Sequence, residues 1–128
     1  MRLLLDTHIL IWMSTNDSRL SSMARTLLSD SQNECFFSPV SIAEIALKHE
    51  KHPEHVPFGG EAARDAFLAA GCNELPLSAD HCAVVDKMGA YHSDPIDRMI
   101  LAQAKAEGMM LISHDRQFPQ YGSFVIHV

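Results

Sequence analysis

The sequence lacks the features that would place it in a membrane or a secretory pathway. No apolar run approaches the roughly 20 residues that a membrane-spanning helix needs. The N-terminal residues 1–6 carry an early carboxylate and lack the cleavage region of a signal peptide. These two absences predict a cytoplasmic protein that makes no membrane contact.

Cysteine is also scarce, and no pair among Cys35, Cys72 and Cys82 has the Cys-x-x-Cys spacing. We expect these thiols to be buried and inert. A zinc site built from Cys72, His81 and Cys82 is the weaker alternative, because its spacing matches no common zinc motif.

The sequence also has fewer positively than negatively charged residues. Ten lysines and arginines against sixteen aspartates and glutamates leave a formal net charge of −6. This balance argues against a protein that coats nucleic acid through a broad basic surface. It does not exclude an enzyme that meets nucleic acid locally, because bound metal ions would reverse the charge of an acidic pocket.

The 128 residues, 47% of them hydrophobic, are typical of one globular domain spanning 1–128 with a buried core. Short apolar segments alternate with helical ones, a pattern that predicts an α/β protein with a mainly parallel sheet. The predicted strands cover 2–6, 34–37, 73–76 and 109–112, with an edge strand at 123–127. The predicted helices cover 7–13, 21–28, 39–49, 61–70, 78–88 and 95–107.

Four carboxylates lie where this pattern would let them meet. Asp6 and Asp115 follow predicted strands, while Glu44 and Asp97 are expected in the first turns of helices. In open α/β sheets the functional crevice lies outside the carboxyl ends of the strands. Carboxylates about 5 Å apart repel by roughly 3 kcal/mol at an effective dielectric near 20. If the four converge, they predict a site for Mg²⁺ or Mn²⁺.

Each carboxylate also has a local structural explanation. Asp6 is placed to cap the helix that starts at Thr7. Glu44 has Lys48 four residues later, so the two can form an ion pair on a wet helix face. Asp115 stands in a segment that a turn could use.

The pair Asp94 and Asp97 needs separate assignments. With Asp94 as N-cap and Pro95 at the first helical position, Asp97 falls at N3, as in a capping box. We assign Asp94 mainly to capping, with a supporting hydrogen bond near the site. Asp97, followed by Arg98, is assigned mainly to the site.

Four segments in this order resemble PIN-domain proteins. They are Leu-Leu-Asp-Thr-His at 4–8, Ser-Ile-Ala-Glu-Ile at 41–45, the stretch 92–104 containing Asp-Pro-Ile-Asp-Arg, and Leu-Ile-Ser-His-Asp at 111–115. The resemblance is collinear and covers nearly the whole chain. It is closest to the toxin ribonucleases of VapBC-type toxin–antitoxin pairs.

The resemblance implies a three-layer α/β/α sandwich and an endoribonuclease that uses Mg²⁺ or Mn²⁺ to activate water. It also implies an RNA substrate and a cognate antitoxin that blocks the site. The catalytic and metal-binding positions it implies are Asp6, Glu44, Asp97 and Asp115, with Thr7, Asp94, Arg98 and Ser113 in supporting or substrate-contacting roles. Ser113 preserves the hydroxyl found in many relatives, and His114 stands where they have arginine.

Two partner predictions concern the segment after Asp6. His8 either contacts substrate or lies on a helix surface. The run around Trp12 is too apolar for a single buried face, so part of it is predicted to form a homodimer or antitoxin interface.

Three alternative functions remain open. One is a PIN nuclease of RNA processing without an antitoxin, and another is a non-catalytic PIN-like binding module. The third is a small α/β metal-dependent phosphohydrolase or a response-regulator receiver. The receiver is disfavoured, because it needs paired acids after its first strand and a lysine after its last, and Leu5-Asp6-Thr7 offers one acid.

Overall fold

The frame of the molecule is a five-stranded sheet, seen in a computed structural model that describes residues 1–92 and 94–128. The strands are β1 (Arg2–Leu5), β2 (Glu34–Phe37), β3 (Asn73–Glu74), β4 (Met110–Ser113) and β5 (Val125–His127). They lie in the order β3-β2-β1-β4-β5, and every pairing is parallel. The predicted parallel sheet is confirmed. Residue 93, part of the third family-like motif, lies outside the described residues.

The sheet is buried on both faces, as parallel sheets require. Leu3, Leu4 and Leu5 of β1 are fully buried. Because side chains alternate along a strand, Leu3 and Leu5 join one apolar cluster and Leu4 joins the other. The two clusters define a layer of helices on each side of the sheet.

The helices fill those two layers and confirm the three-layer α/β/α sandwich. They are α1 (Thr7–Ser14), α2 (Ser22–Ser29), α3 (Pro39–Lys51), α4 (Gly60–Ala69), α5 (Ala79–Ala83) and α6 (Pro95–Glu107), with 3₁₀ turns at Val85–Lys87 and Phe118–Tyr121. Helices α1, α2 and α4 pack on one face, α6 packs on the other, and α3 contributes to both clusters. Among the described residues, no helix is both long and apolar enough to cross a bilayer.

Two predicted elements are wrong in extent. The predicted helix 78–88 ends at Ala83, and the chain continues as a 3₁₀ turn. The break falls at the β-branched pair Val84 and Val85, which favours helix poorly. The strand predicted to reach Pro76 stops at Glu74, because proline has no N–H to continue the ladder.

The Trp12 side chain of helix α1 is more buried than the sequence predicted. Trp12 is only 7% exposed. The Arg19 guanidinium lies 5.3 Å from the centre of the indole ring. Trp12 itself therefore offers little surface, whereas Ile11 and Met13 of the same helix are half-buried, and the interface on this run stays a prediction.

The cysteines agree with their prediction only in part. Cys72 is buried and Cys35 is half-buried, but Cys82 is exposed. Helix α5 is a short surface element that turns His81 inward and leaves Cys82 outside. Among the described residues, the Cys72, His81 and Cys82 set does not form a group able to hold a metal.

Candidate metal centre

Asp6 lies at the carboxyl end of β1, and the capping role predicted for it is confirmed. Its Oδ1 accepts the His8 N–H at 2.8 Å, which caps α1. Its Oδ2 accepts a hydrogen bond from the Ser113 hydroxyl, which the parallel pairing of β1 with β4 places beside it. Burial raises the pKa of Asp6 above its ordinary range, although both hydrogen bonds oppose the shift and only the charge of Glu44 adds to it.

Glu44 lies in the second turn of α3, not the first as predicted, and is 7% exposed. The predicted pair with Lys48 is present, with Nζ 2.8 Å from Oε2. The other oxygen, Oε1, is buried and has no hydrogen-bond partner among the described residues. A buried acceptor without a partner costs about 1–3 kcal/mol, more when charged. This oxygen is therefore free to accept a further ligand.

The start of α6 separates the two neighbouring aspartates as predicted. Asp94 Oδ1 accepts the Ile96 N–H at 2.9 Å, and Pro95 occupies the first turn. Capping therefore belongs to Asp94. Asp97 is left with its carboxylate turned toward the other acids.

The environment of Asp97 disfavours its charged form. Burial raises its pKa to about 7, and the charges of Asp94, Asp6 and Glu44 act in the same direction. His92 opposes them. Asp6, Glu44 and Asp97 therefore lie close enough to repel one another, so the structure brings together three acids from separate parts of the chain.

His92 joins Asp97 to Asp115 and was not identified from the sequence. Its Nε2 is 3.1 Å from Asp97 Oδ2 and 2.9 Å from Asp115 Oδ2. Its Nδ1 accepts the Asp94 N–H at 3.1 Å, so the neutral ring carries its proton on Nε2 and donates to the two carboxylates. Potential ligand atoms of His92, Asp97 and Asp115 all lie within 4.8 Å of one another.

Asp115 is held by the turn that follows β4. Its Oδ1 accepts the Gln117 N–H at 2.8 Å, as the turn alternative predicted. Its own N–H donates to Ser113 Oγ at 3.0 Å. Since Ser113 donates in turn to Asp6, one hydroxyl links the ends of the two central strands.

Thr7 and Arg98, for which supporting or substrate-contacting roles are predicted, make contacts within the chain. Thr7 Oγ1 donates to Ser41 Oγ at 2.9 Å in a buried contact that ties α1 to the helix carrying Glu44. Arg98 Nη2 donates to the Val85 carbonyl at 2.9 Å, and its Nε is buried without a partner among the described residues. Arg98 therefore braces the 3₁₀ turn and makes no ion pair with a described acid.

A cleft of about 260 Å³ opens beside these acids, lined by Asp6, His8, Trp12, His114 and Asp115. A larger one, of about 470 Å³, lies near the amino end of β2 and includes Glu34 and Gly71 in its lining. The smaller cleft is the one that borders the acidic site, because Asp6, whose pKa is raised by burial, and Asp115 both line it.

The donor set suits a hard divalent cation. Carboxylate oxygens predominate, and Mg²⁺ and Mn²⁺ prefer such ligands. The buried Glu44 Oε1 offers an oxygen that nothing else described in the chain satisfies. Burial first, and repulsion between the acids second, raise the pKa values of Asp6 and Asp97, and a cation would favour the charged form of both.

The fold and the site together define a class of protein, a three-layer α/β/α domain with buried acids at the carboxyl edge of a parallel sheet. The model of the PIN domain matches residues 3–123. The chain belongs to the PIN domain family, whose members are generally nucleases.

Solved structures share this fold at low sequence identity. VapBC2 from Rickettsia felis, bound to a DNA fragment from its promoter, is 18% identical with a TM-score of 0.70, over 100% of this chain and 98% of that one. A toxin–antitoxin complex from Klebsiella pneumoniae is 22% identical with a TM-score of 0.66, over 97% and 95%. VapC20 from Mycobacterium tuberculosis, a Sarcin-Ricin loop cleaving toxin, is 16% identical with a TM-score of 0.64, over 94% and 95%. No curated protein sequence matches the chain significantly.

Proposed function

We propose that this protein is a Mg²⁺- or Mn²⁺-dependent endoribonuclease that hydrolyses RNA phosphodiester bonds. The observation that carries the proposal is the buried acidic cluster. Asp6 and Glu44 are both more than nine-tenths buried, and one Glu44 oxygen has no partner among the described residues. Membership of a family of nucleases supports the reaction class.

The four proposed ligands, Asp6, Glu44, Asp97 and Asp115, differ in how firmly the chain holds them. What a bound cation supplies is a lowered pKa for the attacking water and neutralisation of charge on the phosphate. Asp6 is oriented through both of its oxygens, by Ser113 and by a backbone N–H. Asp97 and Asp115 are held at a short separation by the shared His92 N–H. The protein thus contributes a largely prearranged set of oxygens.

We further propose that the protein is the toxin of a type II toxin–antitoxin pair. It would act in the cytoplasm as a homodimer, and its antitoxin would cover the acidic edge of the sheet. The matched structures from Rickettsia felis and Klebsiella pneumoniae are themselves toxin–antitoxin complexes, which supports this assignment. Leu47 of α3 and Leu68 of α4 are 61% and 50% exposed, and large exposed apolar side chains suit a protein partner.

Cleavage of total RNA tests the nuclease. Wild type with Mg²⁺ or Mn²⁺ should cut, and EDTA should stop it. Asp6→Asn and Asp97→Asn should lose cleavage while keeping the circular dichroism of the folded protein. Asp65→Asn, which removes an exposed carboxylate of α4, is the matched control and should retain it. A wild type that cuts no RNA with either metal would favour the binding-module alternative.

Expression in a bacterial host tests the toxin. Growth should arrest, and a small gene for a DNA-binding protein should lie directly upstream, whose co-expression restores growth. Normal growth together with RNA cleavage in vitro would favour a PIN nuclease of RNA processing that has no antitoxin.

A further inference from the structure

The cleft beside the acids has a second wall that metal binding does not explain. The lining combines two carboxylates, Asp6 and Asp115, with the rings of His8, Trp12 and His114, and these rings make up the second wall. We call this second wall the ring wall. The proposed metal chemistry of the carboxylates gives these rings no role.

His114 is the most firmly placed ring of the wall. Its Nδ1 donates to the Val128 carbonyl at 2.6 Å, so the neutral ring presents Nε2 as an acceptor. One face stacks on His127, with centroids 5.6 Å apart and planes inclined by 18°. His127 is fixed in turn by donating Nε2–H to the His114 carbonyl at 3.0 Å. The ring is exposed and yet oriented in advance.

Trp12 joins His114 to His8. Its indole meets His114 edge to face, with centroids 5.3 Å apart and an angle of 67°. His8 lies 5.9 Å away on the other side, at an angle of 49°. Trp12 is nearly buried while both histidines are exposed, so the indole forms a floor between two exposed rings.

We propose that the ring wall binds one unpaired nucleobase of single-stranded RNA, with the adjoining phosphate lying over Asp6 and Asp115. This inference rests on the proposed ribonuclease activity and names the form of its substrate. Single-stranded RNA is commonly recognised by stacking splayed bases on aromatic side chains, histidine included. The cleft of about 260 Å³ has room for one base and part of its ribose.

The charge of the protein favours stacking over phosphate contacts as the source of affinity. With a net charge of −6, the chain has no broad basic surface to hold an RNA backbone. Base stacking on an aromatic ring contributes binding free energy for each base, and counter-ion release comes instead from phosphate contacts with lysine and arginine. Binding at the ring wall should therefore weaken only slightly as salt concentration rises.

The single tryptophan of the chain reports directly on this cleft. The probes are the four nucleoside 5′-monophosphates, which contain no phosphodiester to cut, with ribose 5-phosphate as the probe without a base. In Mg²⁺ the nucleotides should quench Trp12 fluorescence saturably, and ribose 5-phosphate should not. Equal quenching by ribose 5-phosphate, or no quenching by any nucleotide, would overturn the subsite.

Variants of His114 test stacking against a merely structural role. His114→Ala should raise the Kd for the best nucleotide about ten-fold, as expected for a lost stacking partner. His114→Phe keeps a ring but loses the Nδ1 hydrogen bond, and it should restore most of the affinity. His52→Ala, in an exposed loop, is the control and should bind as wild type does. A Kd for His114→Ala equal to that of wild type refutes the proposal.

RNA cleavage by the same proteins separates the two proposals. If both hold, His114→Ala raises KM for RNA and changes kcat little. If wild type cleaves RNA but nucleotides leave Trp12 unquenched and His114→Ala keeps the wild-type KM, the subsite is wrong and the nuclease stands. If nucleotides bind through His114 and no RNA is cut, the subsite stands and the nuclease is wrong.

Discussion

Replacing Asp97 with asparagine should stabilise the metal-free protein at about pH 8 and also abolish its response to Mn²⁺. In the folded protein the pKa of Asp97 is about 7, against an ordinary 3.8, with burial as the largest cause. The folded state therefore binds the proton more tightly than the unfolded state. Wild-type stability falls as the pH rises from about 4 to about 7 and receives no further contribution from this group above that. Asparagine carries no charge and avoids the loss.

The magnitude follows from the shift and from the exposure of the side chain. A rise of about three pKa units corresponds to about 4 kcal/mol of unfolding free energy. The Asp97 side chain is still 20% exposed, so solvent screening should reduce this to about 2 kcal/mol. For a chain of this length, that gain raises Tm by roughly 6–10 °C. The amide oxygen of asparagine can still accept the His92 N–H.

The assay is thermal unfolding in EDTA across the range from about pH 4 to about pH 8, repeated with Mn²⁺. The advantage of Asp97→Asn should be small at the acid end and grow up to about pH 7. A ligand at about 100 times its Kd stabilises by about 2.7 kcal/mol, and this gain should appear in wild type and be lost in the variant. Asp65→Asn, exposed on α4, should follow wild type in both respects. An advantage that does not grow with pH, or a retained Mn²⁺ response, would refute the reasoning.

Three further substitutions test the site and its frame. Glu44→Gln should weaken Mn²⁺ binding at least about ten-fold in a calorimetric titration, because the buried Oε1 loses its charge; unchanged affinity would remove Glu44 from the site. Phe67→Ala should cost about 3–5 kcal/mol in urea unfolding, since Phe67 is fully buried and packs edge to face on Phe37 at 5.8 Å; a cost below about 1 kcal/mol would contradict that packing. Gly108→Ala should cost about 1 kcal/mol, because Gly108 ends α6 at a φ of 64°, whereas Lys105→Ala in the same turn should change the unfolding free energy little.

The predictable parts of the fold are those that depend on local chemistry. Ser38 and Asp94 each precede a proline and each cap a helix, because an N-cap and a proline at N1 act within one turn. Asp6 and Asp115 were predictable as neighbours because both follow parallel strands, whose carboxyl ends meet at one edge.

The unpredicted parts depend on contacts between distant segments. His92 forms a hydrogen bond with Asp115, 23 positions away. No periodicity or motif spacing in the sequence predicts the direction in which its ring points. The only available hint was its place beside Asp94-Pro95 in the family-like motif. The burial of Trp12 was not predictable for a similar reason, because the Arg19 guanidinium beside its indole ring lies beyond the end of α1.

The hydrogen bond from Ser113 to Asp6 joins residues 107 positions apart, so the acidic site can form only late in synthesis. Synthesis proceeds from the N-terminus, so β1 and the first three helices leave the ribosome well before β4 exists. Until β4 pairs with β1, Asp6 lacks the hydroxyl that orients it, and Asp97 and Asp115 are not yet beside it. If the proposed function holds, a nuclease built in this order is inactive through most of its own translation, and an antitoxin need act only on the finished chain.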